Sequence, residues 1–459
     1  MRYDLVIKGG TLVHPWGRTE GNLAVRGEKI AAVASPGEPL SGAREIDARG
    51  KYVLPGRIDP HVHMHWPDWP MDEAIRTSTR AALAGGTTTL IHFILSTGSL
   101  LAHFAEMKDL FNANARSDGA FHGGIVSEQH VGEIPELARR GITSFKFWMS
   151  YRGAEAKPPL QGIDDGQLFR GFREVGRLGP GAIAMVHAEN IEVFFALKEE
   201  LRASGRKDVA WTETRPPFCE EEAMNRAILL ADAARCPLYI VHITIKEGVD
   251  IVREARARGR RVLGETCPQY LTLTRDFDPV IGKINPPLRE SADSQALWAG
   301  LAEGALSTIG SDHAPTSLRH KEDLWSAIVG MPGIETSLPV LLSEGVNQRR
   351  LSLERLVEVT SLQPARIFGL YPKKGALEAG LDADIVLVDL EEARVVDAKK
   401  NLHQGSDYSP YDGTRLKGWP VLTVLRGKVV MEGGEVTAKP GEGRFIPRSL
   451  GGPFRGDRT

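Results

Sequence analysis

Between residues 3 and 53, apolar and polar positions alternate in short runs separated by glycine: Tyr3-Asp-Leu-Val-Ile, Thr11-Leu-Val, Asn22-Leu-Ala-Val, Ile30-Ala-Ala-Val and Tyr52-Val-Leu. A period of two with turn residues between the runs predicts antiparallel strands. The same texture returns in Ala383-Asp-Ile-Val-Leu-Val and in Val421-Leu-Thr-Val-Leu-Arg-Gly-Lys-Val-Val. Two such segments, far apart in sequence, can close one small β-sandwich with the chain ends near each other. The middle has a different rhythm. Short β-rich runs at 58–63, 87–93, 121–126, 144–149, 182–187, 238–242, 262–266 and 307–312 alternate with amphipathic helical stretches such as 71–84, ended by Gly85-Gly86, and 220–235. Eight strand–helix alternations predict an α/β fold of the (β/α)8 TIM barrel type. The expected division is a discontinuous β-sandwich domain from 1–53 and 371–440, a barrel from 54–370, and a C-terminal arm at 441–459. That arm is rich in Gly, Pro and Arg and needs a surface to lie on.

Composition narrows the partners. Lys plus Arg count 57 against 59 for Asp plus Glu, a formal net charge of -2. Such a balance gives no global attraction to nucleic acid or to an anionic membrane, so a small molecule is the expected partner. Cys219, Cys236 and Cys267 are too few and too scattered for a disulfide framework or a zinc cluster, and read as reduced buried thiols. No signal peptide and no membrane span is apparent, which places the chain in the cytoplasm as an expectation.

The polar residues on the barrel strands carry the chemistry. In such barrels the C-terminal strand ends face the active site. The first strand runs into His61-Val62-His63, and residues two apart on a strand share a side, so both imidazoles can reach one metal ion. The fourth carries Lys146 within Ser144-Phe-Lys-Phe-Trp, the fifth ends at His187, the sixth at His242 and the eighth at Asp312. Any one of these fits a hydrogen-bonded core residue. Four histidines, a lysine and an aspartate on one face do not. An ammonium beside metal cations repels them, so Lys146 belongs in this set only with its charge inverted. Desolvation and nearby cations lower a lysine pKa, and the neutral amine can take up carbon dioxide to form a carbamate. Its two oxygens can bridge cations about 3.5 to 4 Å apart. One metal is therefore assigned to His61, His63 and Asp312, the other to His187 and His242, with carboxylated Lys146 shared.

These motifs, in this order, resemble the amidohydrolase superfamily, and within it the cyclic amidohydrolases: hydantoinase, dihydropyrimidinase, allantoinase and dihydroorotase. The likeness rests on Leu5-Val-Ile-Lys-Gly-Gly, Pro55-Gly-Arg-Ile-Asp-Pro-His-Val-His, Gly85-Gly-Thr-Thr, Ser144-Phe-Lys, His187-Ala-Glu-Asn and Gly310-Ser-Asp-His. It implies two divalent metal ions, usually zinc, at the six positions already named. Gly369-Leu-Tyr-Pro-Lys-Lys-Gly, Gly418-Trp-Pro-Val and Gly443-Arg-Phe-Ile-Pro-Arg lean toward the hydantoinase and dihydropyrimidinase branch. Asn285-Pro-Pro-Leu-Arg leans toward dihydroorotase, but Met64-His65 stands where dihydroorotases keep the arginine that grips a substrate carboxylate.

The resemblance implies a hydrolase that opens the ring of a cyclic amide or ureide of hydantoin or dihydropyrimidine type. Asp312 would accept a proton from the attacking hydroxide and pass it to the departing ring nitrogen. Tyr151 would stabilise the oxyanion, and backbone groups near Asn285 and Val329-Gly-Met-Pro-Gly would orient the ring amide, leaving side-chain identity there less important. Trp66 and Trp69 offer apolar faces for an exocyclic substituent, or line a structural or subunit-facing loop. His313 reads as a support for the ligands, His92 and His103 as structural. A homodimer or homotetramer is expected, with the 443–448 arm suited to a neighbouring subunit. Alternatives are a dihydroorotase- or allantoinase-like hydrolase, a mononuclear deaminase, or a non-enzymatic scaffold of the dihydropyrimidinase-related type.

Overall fold

The computed structural model describes residues 2–64 and 68–450. Eight parallel strands form the middle of the chain: Arg57–Val62, Thr87–Ile94, Asp118–Gly124, Ser144–Trp148, Ile183–His187, Leu238–Ile240, Val262–Thr266 and Thr308–Ile309, hydrogen-bonded in sequence order. Every residue of these strands is buried, which is why their sequences read as almost continuous apolar runs. Helices such as Met71–Ala84, Asp165–Arg177 and Lys246–Ala257 return the chain between strands. Ser99, Ser127, Asp164 and Asn190 cap the helices that follow them by accepting backbone N–H bonds.

The first and last barrel strands meet at a seam. Val62 bridges His313 in parallel, and the His63 N–H donates to the His313 carbonyl at 2.7 Å. Side chains complete it: Asp59 Oδ1 accepts from the Ser311 N–H at 2.9 Å, Asp59 Oδ2 pairs with Arg57 at 2.9 Å, and Arg57 reaches the Ile309 carbonyl. The barrel interior is apolar. Ile58, Ile91, Phe93, Met185, Tyr239 and Leu263 pack there with Phe368 and Ile446, the last two from the end of the chain that follows the barrel.

Both ends of the chain build a separate mixed sheet of nine strands. Its path runs from Glu435–Val436 through Lys428–Glu432, Arg415–Leu425 and Ile385–Val395 to Tyr52–Pro55, then Tyr3–His14, Gly17–Arg26 and Lys29–Ala34. Leu5, Ile7, Leu23, Val25, Ile385, Leu387 and Val424 share its core. The two apolar runs expected at residues 3–7 and 11–13 are one strand, bent at Gly9, whose φ of +68° breaks the register with its neighbour. A strand at Gly42–Asp47, mostly exposed and without alternation, escaped the sequence pattern.

The described part of the C-terminal arm lies on its own barrel. Gly119 exchanges backbone bonds with Arg444 and Ile446, and Phe445 packs against Phe104 and Phe121 with ring centroids 5.5 and 5.1 Å apart. Arg448 donates to the Ser144 hydroxyl at 2.8 Å and to the Phe121 carbonyl.

Candidate active site

The ends of the barrel strands gather six of the residues singled out above. His61 closes on Asp312, its Nε2 3.1 Å from Asp312 Oδ1, and His63 Nε2 is 3.5 Å from the same oxygen. These three residues offer donor atoms within 4.8 Å of one another, a candidate metal site among the described residues. His187 Nδ1 lies 2.9 Å from His242 Nε2, and the rings of His61 and His242 are 5.4 Å apart, which joins the two groups. Lys146 is buried beside them, its Nζ 4.9 Å from the ring of Phe93 and 5.5 Å from that of Trp148.

Backbone shape helps to aim these side chains. Tyr151, His242 and Asp312 have φ of +60°, +39° and +49°, left-handed values that side-chain-bearing residues rarely adopt. Asp312 and His242 lie just past strands that stop at Ile309 and Ile240, earlier than the sequence pattern predicts. Gly310 makes room for this turn: a Cβ there would sit 2.6 Å from the His61 Cβ and 2.8 Å from a Glu265 carboxylate oxygen.

Each imidazole has a carboxylate or a neighbour behind it. Glu265 accepts from His61 Nδ1 at 2.6 Å and from the His242 backbone N–H at 3.2 Å, while Tyr239 donates to its other oxygen at 2.7 Å. Glu189 sits 2.7 Å from His187 Nε2 and is paired with Arg215 at 2.9 Å. Neither carboxylate stood out in the sequence. A charge inside an otherwise apolar strand was the available signal for Glu265, and the position two beyond His187 was the signal for Glu189. Carboxylates in these places fix which ring nitrogen keeps its proton.

Electrostatics follow. Burial lowers the His61 pKa, but Glu265 and Asp312 outweigh it and lift it to about 9. Burial keeps His63 and His242 well below the usual imidazole range, and His187 below it despite Glu189. Burial pushes the Asp312 carboxyl up, yet the imidazoles of His61, His242 and His63 hold it far below the usual carboxylate range. Burial brings Lys146 down to about 7, against the pull of Asp312 and Glu265.

Tyr151 stands beside this group, its ring edge-on to His187 at 5.2 Å and its hydroxyl 3.2 Å from Asn285 Nδ2. The Asn285 side chain is thus engaged, besides the role expected of its backbone. Val329 lies in an apolar cluster with Trp211. Its loop is tied to the Asn285 segment by the Gly330 N–H, which donates to the Lys283 carbonyl at 3.0 Å. Lys321 Nζ reinforces this by donating to the carbonyls of Ile328 and Gly330 at 2.8 Å. Trp69 packs close to Gly405, where a Cβ would meet the indole at 3.3 Å. Trp66 lies outside the described residues. Asp68 accepts from the Ser317 N–H and pairs with Arg319 and His320. His313 accepts from the Gly333 N–H at 3.1 Å and supports the seam.

Known proteins share this architecture. The model of the amidohydrolase family matches residues 240–430. An L-hydantoinase from Paenarthrobacter aurescens is 38% identical over 462 residues, covering 97% of this chain and 98% of that protein. An allantoinase from Rubrobacter xylanophilus is 40% identical with 97% of each chain covered. Among solved structures, the L-hydantoinase (dihydropyrimidinase) from Arthrobacter aurescens superposes with a TM-score of 0.91 at 37% identity, over 97% of this chain and 100% of the other. The dihydropyrimidinase from Brevibacillus agri gives 0.88 at 35%, over 97% and 98%. The strand order, the discontinuous sheet and relatives matched over nearly their whole length identify this chain as a member of the amidohydrolase family, in its hydantoinase and dihydropyrimidinase branch.

Proposed function

We propose that the protein hydrolyses a ring C–N bond of a cyclic amide or ureide of hydantoin or dihydropyrimidine type. The observation that carries this reading is the meeting of His61, His63, His187, His242, Asp312 and Lys146 at one end of the barrel. The set fits divalent cations. Because Glu265 occupies His61 Nδ1, the lone pair of His61 Nε2 faces an Asp312 oxygen 3.1 Å away, and Nε2 makes no hydrogen bond of good geometry. Two acceptors at that distance demand a positive charge between them: a second proton on His61, or a metal ion. His242 Nδ1 is likewise buried without a hydrogen bond.

His61, His63 and Asp312 would hold one ion, His187 and His242 the other, and Lys146, converted to a carbamate, would serve both. A lysine with its pKa near 7 is a neutral amine for much of the time, the form that reacts with carbon dioxide. Divalent ions, zinc by resemblance, would supply Lewis-acid polarisation of the ring carbonyl and acidify a water molecule. Asp312 takes the proton released as water attacks the carbonyl carbon, and returns it to the ring nitrogen as the C–N bond breaks. The products are a carboxylate and, on the same opened chain, an amine from a cyclic amide or a ureido nitrogen from a ureide. Tyr151 donates its hydroxyl proton to the carbonyl oxygen as negative charge builds there, an interaction whose loss costs about 10²–10³ in kcat.

A second reading, allantoinase activity, is favoured by the relative at 40% identity. Dihydroorotate is a poorer fit, because Met64-His65 stands where dihydroorotases keep Leu-Arg, so the arginine that would grip a substrate carboxylate is missing. A ring-opening screen over hydantoins, dihydrouracil, allantoin, dihydroorotate and cyclic imides with metal-loaded protein separates these readings. Lys146→Ala should lose both activity and part of the bound metal, measured by elemental analysis. A variant that stays active and binds two ions per chain would refute the role given to Lys146.

A further inference from the structure

Asn285 bridges two aromatic side chains at the rim of the site. Its Oδ1 accepts from the indole Nε1 of Trp211 at 2.9 Å, and its Nδ2 donates to the Tyr151 hydroxyl at 3.2 Å. The direction of this relay is dictated by the chemistry of its far end. An indole N–H can only donate, so the amide must turn its carbonyl toward Trp211 and its NH2 toward Tyr151. The phenol oxygen is then an acceptor, and its own hydrogen stays free for another partner.

Both ends of the relay are held firmly. Trp211 is 5% exposed, edge-on to Phe194 and Trp325, with Lys283 Nζ 4.4 Å above its ring. Thr214 caps its turn by donating to the Trp211 carbonyl at 2.7 Å. Tyr151 is fixed in a left-handed backbone conformation, and the Gly162 N–H donates to its carbonyl at 2.9 Å. Asn285 itself is 7% exposed. A relay of this kind orders its last member without touching the reacting atoms.

We infer that Asn285, oriented by Trp211, is a positioning residue that directs the Tyr151 hydroxyl proton toward the substrate carbonyl oxygen. This rests on the reading of Tyr151 as the oxyanion donor. The bond from Nδ2 also polarises the phenol, so the donor strengthens as charge grows on its acceptor.

The isosteric change Asn285→Asp separates direction from shape. An aspartate can accept from Trp211 as before, but its second oxygen accepts the Tyr151 proton and draws it away from the substrate. Asn285→Asp should therefore lower kcat at least as much as Asn285→Ala, which should lose about tenfold, the scale of one hydrogen bond. Trp211→Phe keeps an aromatic ring but frees the amide to rotate, and should lose several-fold in kcat. KM should change little in all three. The substrate is the ring opened fastest in the screen above, with thermal midpoints and metal content recorded for every variant.

The deciding measurement repeats these substitutions in a Tyr151→Phe background. If Asn285 acts through the phenol, their effects on kcat should vanish there. Additive effects, or an Asn285→Asp variant as active as the wild type, would overturn the inference while leaving the role of Tyr151 intact. An unchanged kcat in Tyr151→Phe alone would instead sink the reading of Tyr151, and the relay with it.

Discussion

Glu265 is fully buried near the end of a barrel strand, and its charge is met by His61, Tyr239 and the His242 N–H. One carboxylate thereby touches both groups of histidines. Its two acceptor oxygens are both in use, so a glutamine would lose one of these bonds: its NH2 would have to face either the Tyr239 hydroxyl, which now donates, or the His61 ring. Glu265→Gln is expected to weaken metal binding by about 10–100-fold, the usual effect of losing a partner behind a ligand. Competition with a chromogenic chelator measures this directly, and an affinity equal to that of the wild type would count against the assignment. The six central residues were legible because each is a polar or charged side chain within or just past an apolar run. Glu265 was not, since Val262-Leu-Gly-Glu-Thr reads as a strand and offers no second ligand at a telling spacing. Nor could the sequence disclose the left-handed backbone at Tyr151, His242 and Asp312, which costs about 1–3 kcal/mol per residue and is imposed by the surrounding fold.

At the scale of elements, alternation and glycine placement were the reliable guides. The helix Met71–Ala84 ends where Gly85-Gly86 signals it, because Gly86 turns with a φ of +78° and lies close to Leu338 and Val386. The eighth strand was predicted too long. Its Ser307, Ser311 and Asp312 share the polar-apolar rhythm of a strand, but only Thr308–Ile309 pairs with its neighbour, and the rest turns toward His61. Closure of the barrel is then shared between the backbone bridge from Val62 to His313 and side chains. Arg57 and Asp59 form an ion pair that is almost wholly buried, and Asp59 also accepts from the N–H groups of His61 and Ser311. Removing one member of such a pair strands the other charge. Asp59→Ala should cost about 3–5 kcal/mol, seen as a shift in the denaturant midpoint. Asp312 should also be less well placed, so metal affinity should fall along with stability. Loss of stability with unaltered metal affinity would mean that the seam and the site are independent.

For the whole molecule, the question is how the terminal sheet and the arm are joined to the barrel. A buried ionic cluster does part of this. Lys374 reaches Asp118 on the third barrel strand and Asp382 and Asp384 at the edge of the terminal sheet, at 2.9, 3.2 and 2.5 Å, and Arg426 also pairs with Asp118. The three carboxylates hold the Lys374 pKa above its ordinary value despite its burial. The arm crosses the same region, with the Arg444 N–H donating to Asp118 at 3.2 Å and Phe445 wedged between Phe104 and Phe121. Composition alone could say that a Gly-, Pro- and Arg-rich tail needs a surface, but not whose surface, since that depends on pairing with residues more than three hundred positions away. The arm meets the barrel at Gly119, Phe121 and Ser144, no further along than the middle of their strands, whereas His61 is one residue from its strand end, His187 at its end and His242 beyond it. Stability and chemistry should therefore separate. Phe445→Ala should destabilise the protein by about 3–5 kcal/mol, the cost of emptying a buried aromatic site. Below its lowered melting temperature the variant should keep its kcat and its metal content. A calorimetric scan paired with turnover measurements tests both halves, and a Phe445→Ala protein that melts with the wild type would show that the arm adds nothing to the fold.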